Sequence, residues 1–469
     1  MMNAASGAEK EKRGTQRAII FVIALAAFMG SLDVSIVNIS LPTIAASFGI
    51  GTGPVSWVSI AYLLVLSSFL PAFGKIGDRI GFRPVFLSGF TIFLAGSLLC
   101  GLATDILPLI AFRVLQAIGA AMLTAIGPAM VSTLLPAAVR GTGLGITTSF
   151  ASLGIAAGPA VGGFLTAYLT WRWIFFINIP VGLVALLLAV RVIPSLPVSR
   201  PETPFDLGGA ALIFGALGSG IFALNMGQNL GWTSTPICAA YAAALILSIA
   251  FFVQERRHPE PVIDLHLFSN RSFSFANAAA LLLMLVYTGA IFLFPFYLEL
   301  VRGYTPDISG LVLMVPSVMM LIAGPIAGRL SDRFGSRGIC TVATAILCIS
   351  FLLFSGLDGA TPVPFMLLSL ALMGTATGLF IPPSSSLILR CSPADRQGMA
   401  SSVMMAIRDG GAVVGVAVFE ALFAAAVVTG AIPASVDPAA LVGGFQTTFL
   451  AGAVVAGLAT LCSFSTRDP

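Results

Sequence analysis

One carboxylate, Asp33, interrupts an apolar run that carries no charge from Ile19 to Leu32, and Asn38 and Pro42 follow before the run ends at Ser47 and Phe48. At about 1.5 Å of rise per residue Asp33 lies roughly 20 Å along a helix, well inside a hydrocarbon layer about 30 Å thick. An ionised carboxylate there costs a few kcal/mol or more, so the group must hold a proton, find a cation or face a water-filled cavity. Proton binding is the first chemistry to expect; the alternative is a permanent ion pair that locks two helices together. Arg113 is a cation suitably placed, because a helix entered from the opposite side near Ile106 carries it to a depth of roughly 10 Å. A guanidinium at a matching level offsets the desolvation of the carboxylate and leaves the pair poised between charge states. A later span carries Arg408 followed by Asp409, with Asp409 at a depth of about 15 Å. Asp409 is read as a second proton or cation site or as the neutraliser of a nearby arginine. Glu299 and Glu420 fall near the ends of their runs and are read as solvated at the interface, with substrate contact as the alternative.

The elements that position these groups are membrane helices. Of 469 residues 58% are hydrophobic and only 9% charged, whereas soluble domains carry about 25% charged residues. The long apolar runs fit helices rather than the alternating strands of a barrel, so the expected fold is all-α and polytopic. Fourteen spans are predicted, at approximately 18–46, 54–74, 82–103, 106–134, 141–167, 173–193, 206–226, 236–253, 273–299, 308–328, 338–356, 363–389, 398–428 and 444–464. The basic start (Lys10, Lys12, Arg13, Arg17) precedes a run too long for a signal peptide, which reads as an uncleaved first helix. Six cysteines without CxxC spacing read as small core residues, and His258 and His266, together in a polar loop, give no basis for a metal site.

Nineteen of the twenty-three Lys and Arg residues fall in the tails and in one set of loops, whereas the opposite loops keep Arg172 and Arg302. This asymmetry predicts that both termini are cytoplasmic. The chain also repeats: Gly74, Asp78, Arg79, Gly81 and Arg83 recur as Gly328, Asp332, Arg333, Gly335 and Arg337, and Ile126 and Pro128 as Ile381 and Pro383. The expected organisation is a cytoplasmic tail (1–17), a six-helix bundle (18–193), a linker with two inserted spans (194–272), a second, pseudo-symmetric six-helix bundle (273–464) and a short tail (465–469), the halves in parallel orientation. The offsets of these two repeats, 254 and 255, carry Asp33 onto Tyr287 and Arg113 onto Leu368 respectively, so the repeat is structural while the ionisable equipment is one-sided. The repeated Gly/Asp/Arg turn (Gly74, Asp78, Arg79, Arg83, with Asp332 and Arg333) is read as a charge latch that holds one conformation shut, or as a solvated turn. In the fifth span Gly154 and Gly158 permit close helix approach, while Pro159 weakens the local hydrogen-bond ladder.

These motifs resemble those of the major facilitator superfamily, in its fourteen-span drug/proton antiporter branch. The turn at Gly74 to Arg83 is similar to the superfamily's signature loop, and Leu32-Asp33-Val-Ser-Ile-Val-Asn38-Ile-Ser-Leu-Pro42 to the branch's first-span motif. Arg113-Val-Leu-Gln116-Ala-Ile-Gly119 resembles the fourth-span motif, with Ala117 where a glycine is usual. Gly154-Ile-Ala-Ala-Gly158-Pro159-Ala-Val-Gly162-Gly163 resembles the fifth-span antiporter motif. The stretches Trp171 to Pro180, Asp206 to Gly209 and Pro261 to Phe273 extend the resemblance over nearly the whole chain, and Asp409 stands where a glutamine is more usual.

The resemblance implies proton transfer assisted by Arg113, and a fifth-span motif (Gly154, Gly158, Pro159, Gly162) that marks antiporters. The expected function is therefore a proton-coupled antiporter of the cytoplasmic membrane, with Asp33, Arg113 and Asp409 for the proton and Asp33, Asn38, Gln116 and Tyr287 around the substrate. It would export small lipophilic, cationic drugs by alternating access as a monomer. No cofactor beyond the proton gradient is expected, no GxxxxGK[ST] loop is present to couple ATP, and the charge bias leaves nothing for nucleic acid to explain. Export of an endogenous metabolite, lipid or siderophore is the first rival. A non-transporting receptor is the next, and a membrane enzyme fares worse for want of paired carboxylates and histidines.

Overall fold

The computed structural model describes residues 2–195, 207–257, 265–393, 396–427 and 438–467. Asp206, Pro261, His258, Arg200 and the last two tail residues lie outside the described residues. The described chain is helical throughout, because in lipid every backbone amide must be satisfied within its own segment. The first half comprises α1 (Met2–Phe48), α2 (Thr52–Ile80), α3 (Phe82–Leu102), α4 (Ile106–Leu134), α5 (Ala137–Tyr168) and the broken pair α6 (Trp173–Phe176) and α7 (Asn178–Val192). Two helices follow, α8 (Leu207–Leu230) and α9 (Thr235–Arg257). The second half comprises α10 (Arg271–Phe296), α11 (Pro306–Phe334), α12 (Ser336–Phe354), α13 (Val363–Arg390), α14 (Gln397–Val427) and α15 (Pro438–Phe464). Among the described residues thirteen helical segments are long and apolar enough to span a bilayer. The seventh expected span falls on α8, whose apolar stretch Ala211–Gly227 is shorter. The expected N-terminal tail is continuous with α1, which begins at Met2.

The repeat read in the sequence is a repeat of packing. In the first half α1 lies on α5, α4 on α2 and α3, and α7 on α1 and α3; in the second, α10 lies on α14, α13 on α11 and α12, and α15 on α10 and α12. The turn glycines have a backbone reason to recur. Gly81 and Gly335 end α2 and α11 with φ of 94° and 80°, and each amide donates back four residues, to Gly77 O and Ser331 O. That φ suits a residue without Cβ.

The halves touch along two seams, both towards the face opposite the chain termini, which we call the far face. In one, α5 meets α11; in the other, α2 meets α14, and α8 joins only this second seam, while α1 makes a smaller contact with α10 and α11 between them. The first is tight enough that a Cβ on Gly163 would overlap the carbonyl of Pro306, and one on Gly310 the carbonyl of Pro159. Beyond it the Tyr168 hydroxyl donates to Asp307 Oδ2 at 3.2 Å. Towards the terminal face the same helices part and leave a cavity.

Candidate functional site

Five helices of the first half converge on Asp33, which is 0% exposed. Arg113 on α4 donates through Nη1 to Asp33 Oδ2 at 2.6 Å and to Gln116 Oε1 at 2.7 Å, and through Nε to the carbonyl of Val58 on α2 at 3.1 Å. Gln116, one turn along α4, donates Nε2 to Asp33 Oδ1 at 2.8 Å and to Ser97 Oγ on α3 at 2.7 Å. Asn178 donates Nδ2 to the same Asp33 Oδ1 at 3.0 Å. The break between α6 and α7 at Ile177 sets Asn178 at the head of α7. Gly96 lets α3 close on this point, since a Cβ there would stand 2.6 Å from Gln116 Cα.

The carboxylate thus meets donors only, one of them cationic, and every member of the set is buried. Charge-assisted bonds of this kind are about twice as strong as neutral ones. They compensate a desolvation that, with one partner removed, would cost about 3–5 kcal/mol. The Arg113 guanidinium is covered by the ring of Tyr62, 4.0 Å from the ring centre, and flanked by Phe175 at 5.7 Å.

The cavity beside this cluster has a volume of about 440 Å³, within the range of drug-sized sites. Its walls are the terminal-face and middle parts of α1, α4 and α5 and the middles of α2, α10, α11 and α14, including Val34, Met284 and Leu313. Asn38, Tyr62, Tyr287 and Ser317 give it polar points, and Arg113 and Asp409 are the charged side chains on its wall. Ser59 donates to Asn38 Oδ1 at 3.0 Å.

The expected cavity residues therefore divide. Asn38 and Tyr287 line the space, whereas Asp33 and Gln116 stand behind its wall. The face of α1 turned to the cavity carries Gly30, Val34 and Ser35, which leaves Asp33 directed into its own half. Asp409 lies on the cavity wall on α14, across from Arg113 and in the other half. Its neighbour Arg408 points away, donating to Ser384 Oγ at 2.8 Å and Ser385 Oγ at 3.0 Å on α13.

The fifth-span motif has two working faces. Gly154, Gly158 and Gly162 lie against α1, where added Cβ atoms would meet Phe28 O at 2.5 Å, Ser35 Cβ at 2.5 Å and Ile39 Cγ2 at 2.6 Å. Pro159 and Gly163 lie against α11 in the other half. Of the turn residues, Arg83 donates to Val190 O at 2.9 Å and Ser195 Oγ at 3.0 Å, both within its own half. Gly74 has open space around it. Asp78 is held above the usual carboxylate range by partial burial, which outweighs Lys75 beside it. Arg79, Asp332 and Arg333 lie on the helix ends at the terminal face, where the halves are apart.

Glu420 is not solvated, contrary to the expectation from its place near the end of a span. It is 1% exposed and takes bonds from two other helices, because α2 and α8 close over its level of α14. Glu299 is half-buried in the π-turn Tyr297–Val301. Sequence reasoning also passed over Ser97, Tyr62 and Asn225 as parts of sites. The available signal was a polar side chain inside an apolar run, a pattern that many spans share.

Comparison with known proteins agrees with this architecture. The family model described as Major Facilitator Superfamily matches residues 23–416. The chain is 32% identical over 410 residues to the riboflavin transporter RibZ of Clostridioides difficile, covering 87% of this chain and 88% of that one. It is 34% identical over 417 residues to the multidrug resistance protein Stp of Mycobacterium tuberculosis, covering 88% and 76%. To the tetracenomycin C resistance and export protein of Streptomyces glaucescens it is 30% identical over 420 residues, covering 88% and 77%. Among solved structures, a bacterial homologue of the human lysosomal transporter Spinster, inward-facing and unoccupied, superposes with a TM-score of 0.70 at 14% identity, covering 96% of each chain. With two pseudo-symmetric helical halves around a central cavity and a family match over most of its length, the chain belongs to the major facilitator superfamily.

Proposed function

We propose that this chain is a proton-coupled antiporter of the fourteen-span drug/proton branch, exporting small lipophilic cations across the cytoplasmic membrane. The Lys/Arg bias supports cytoplasmic termini, and with that orientation the cavity opens inward and the far-face seams close the outside. The observation that carries the reading is the buried Asp33–Arg113 pair at 2.6 Å, placed so that Arg113 belongs both to the pair and to the wall of an apolar cavity.

The geometry supports a specific form of coupling. With Asp33 ionised, the charge of Arg113 is matched and the cavity presents Asp409 as counter-charge to a bound cation. When a proton from outside neutralises Asp33, Arg113 keeps its charge and loses its counter-ion. At an effective dielectric of about 20, two like unit charges about 4 Å apart repel by roughly 4 kcal/mol and the repulsion falls inversely with distance, so an unmatched Arg113 on the wall destabilises a bound cation. Proton and substrate then exclude one another without sharing a carboxylate, which is the linkage antiport needs. Alternating access by rocking of the halves converts that exclusion into exchange.

The test is uptake of a fluorescent lipophilic cation into inside-out proteoliposomes under an imposed pH gradient, comparing the wild type with Asp33→Asn. Gradient-driven uptake in the wild type that is lost in a folded Asp33→Asn protein supports the assignment; equal uptake in both rejects it. The similarity to a riboflavin transporter favours a second reading, a neutral planar heteroaromatic metabolite carried in the same cavity. In that case transport is indifferent to Asp409.

A further inference from the structure

The two seams at the far face are not equivalent. Among the described residues, only one carries a buried carboxyl, and only that one is joined by a helix from outside the repeat. Glu420 on α14 accepts from Thr52 Oγ1 on α2 at 3.1 Å through Oε1, and from Asn225 Nδ2 on α8 at 2.7 Å through Oε2. Asn225 Nδ2 also donates to Ser56 Oγ on α2 at 3.1 Å, and Ser56 Oγ donates to Gly53 O at 2.7 Å. All four side chains are at least nine-tenths buried: Thr52 6% exposed, Ser56 0%, Asn225 2% and Glu420 1%. Three helices from the three parts of the chain thus meet on one carboxyl group.

The cluster differs from the Asp33 site in one decisive respect. Asp33 has a guanidinium. Around Glu420 the elements packed against α14 supply hydroxyls and an amide, and no cationic or acidic side chain among the described residues of α2, α8, α10, α13 or α15 acts on it. A buried carboxylate without a cation is costly, so closure of this seam is compatible with a neutral carboxyl and opposed by an ionised one. Asn225 is the residue type that meets both forms. Its Nδ2 donates to a carboxylate; turned half a rotation, its Oδ1, which has no partner as the side chain stands, accepts from the protonated acid.

We propose that Glu420 is a second proton-binding site, gripped by Asn225 of the inserted helix α8, and that its protonation from the outside closes the far face. This deepens the antiporter reading and rests on its assignment of sides. The seam opens outward and closes inward, so Glu420 exchanges protons only with the outside solution. It biases the conformational equilibrium without adding to the protons carried per cycle. The inserted pair thereby gains a role, since α8 supplies the amide that the closed seam needs.

The test reads conformation rather than flux. In full-length protein in lipid nanodiscs, with the native cysteines replaced by serine and Asp33→Asn as background, spin labels at Leu102 and Val363 report the distance between the halves at the far face. As pH is lowered from 9 to 5, the far-face-closed population is expected to rise along a single-proton titration. Glu420→Gln, a neutral isostere, should hold the closed distance at every pH. Asn225→Ala should reduce the closed population at acid pH by about tenfold while leaving a titration in place. Two results overturn the proposal: a distance distribution that titrates in Glu420→Gln and in a second neutral variant, Glu420→Met, just as it does with Glu420 in place, or one that does not titrate before substitution. The flux assay on Asp33→Asn does not depend on these distances, so failure here leaves the coupling assignment standing.

Discussion

Glycines at the two contact faces of the fifth span separate two properties that a transporter normally mixes, the stability of one half and the balance between its conformations. Gly310 on α11 faces the Pro159 carbonyl across the halves, and Gly158 on α5 faces Ser35 and Ile36 of α1 within one half. A methyl group at Gly310 overlaps backbone only while the far-face seam is closed. Overpacking of this kind costs about 1–3 kcal/mol, and rigid backbone on both sides leaves little room to relax. Once the halves part the methyl group is free, so the whole cost appears as a shift of the equilibrium, about 5- to 150-fold towards the outward-open form. A methyl group at Gly158 meets Ser35 Cβ at 2.5 Å within one half, a contact that rocking of the halves leaves in place, and therefore lowers thermal stability without moving the balance. The assay is the distance between labels at Leu102 and Val363, both exposed at the far face on opposite halves, with thermal unfolding measured in parallel. The expected result for Gly310→Ala is a dominant long distance and a small change in melting temperature; for Gly158→Ala it is the wild-type distance and a lower melting temperature. If Gly158→Ala shifted the distance as much as Gly310→Ala, the division of the motif into two faces would be refuted.

Two further outcomes follow from the cavity and its backing. Asp409→Asn removes the carboxylate from the cavity wall, and the apparent affinity for a monovalent lipophilic cation should fall about tenfold or more while that for a neutral analogue of the same shape stays within about twofold. Equilibrium binding of the two analogues checks this. Asn178→Leu deletes one of two donors to Asp33 Oδ1, and since a hydrogen bond to a charged group contributes about 1.5–3 kcal/mol, thermal stability should fall measurably and gradient-driven flux with it. A stable, fully active Asn178→Leu protein would show that Arg113 and Gln116 alone hold the carboxylate.

Much of the fold was legible because lipid leaves the backbone few options. Charge-free runs mark helices, and Gly81 and Gly335 mark the ends of α2 and α11 through a backbone conformation that few other residues adopt. The offset of the repeat correctly paired α1 with α10 and α5 with α14 in packing. Depth, which follows from rise per residue, placed Asp33 and Arg113 at one level. Rotation about the helix axis is what hydropathy does not carry: polar residues of α1 (Ser31, Asp33, Ser35, Asn38, Ser40) fall on more than one of its sides, so nothing in its sequence tells that Val34 and Ser35 face the cavity while Asp33 turns inward to Ser97, Gln116 and Asn178. Lateral neighbours were equally hidden. Glu420 near the end of its span reads as solvated until α8 is known to cover it, and Asn225 acquires meaning only from that contact.

Whether proton and substrate move in opposite directions through exclusion at the Asp33–Arg113 pair is decided in proteoliposomes at symmetric pH and zero membrane potential, with a trapped pH-sensitive dye and an outward gradient of lipophilic cation. Cation leaving the vesicles should drive protons in and acidify the lumen, and Asp33→Asn should abolish the acidification. Cation flux with an unchanged lumen pH in the wild type, or acidification that persists in Asp33→Asn, would contradict the coupling.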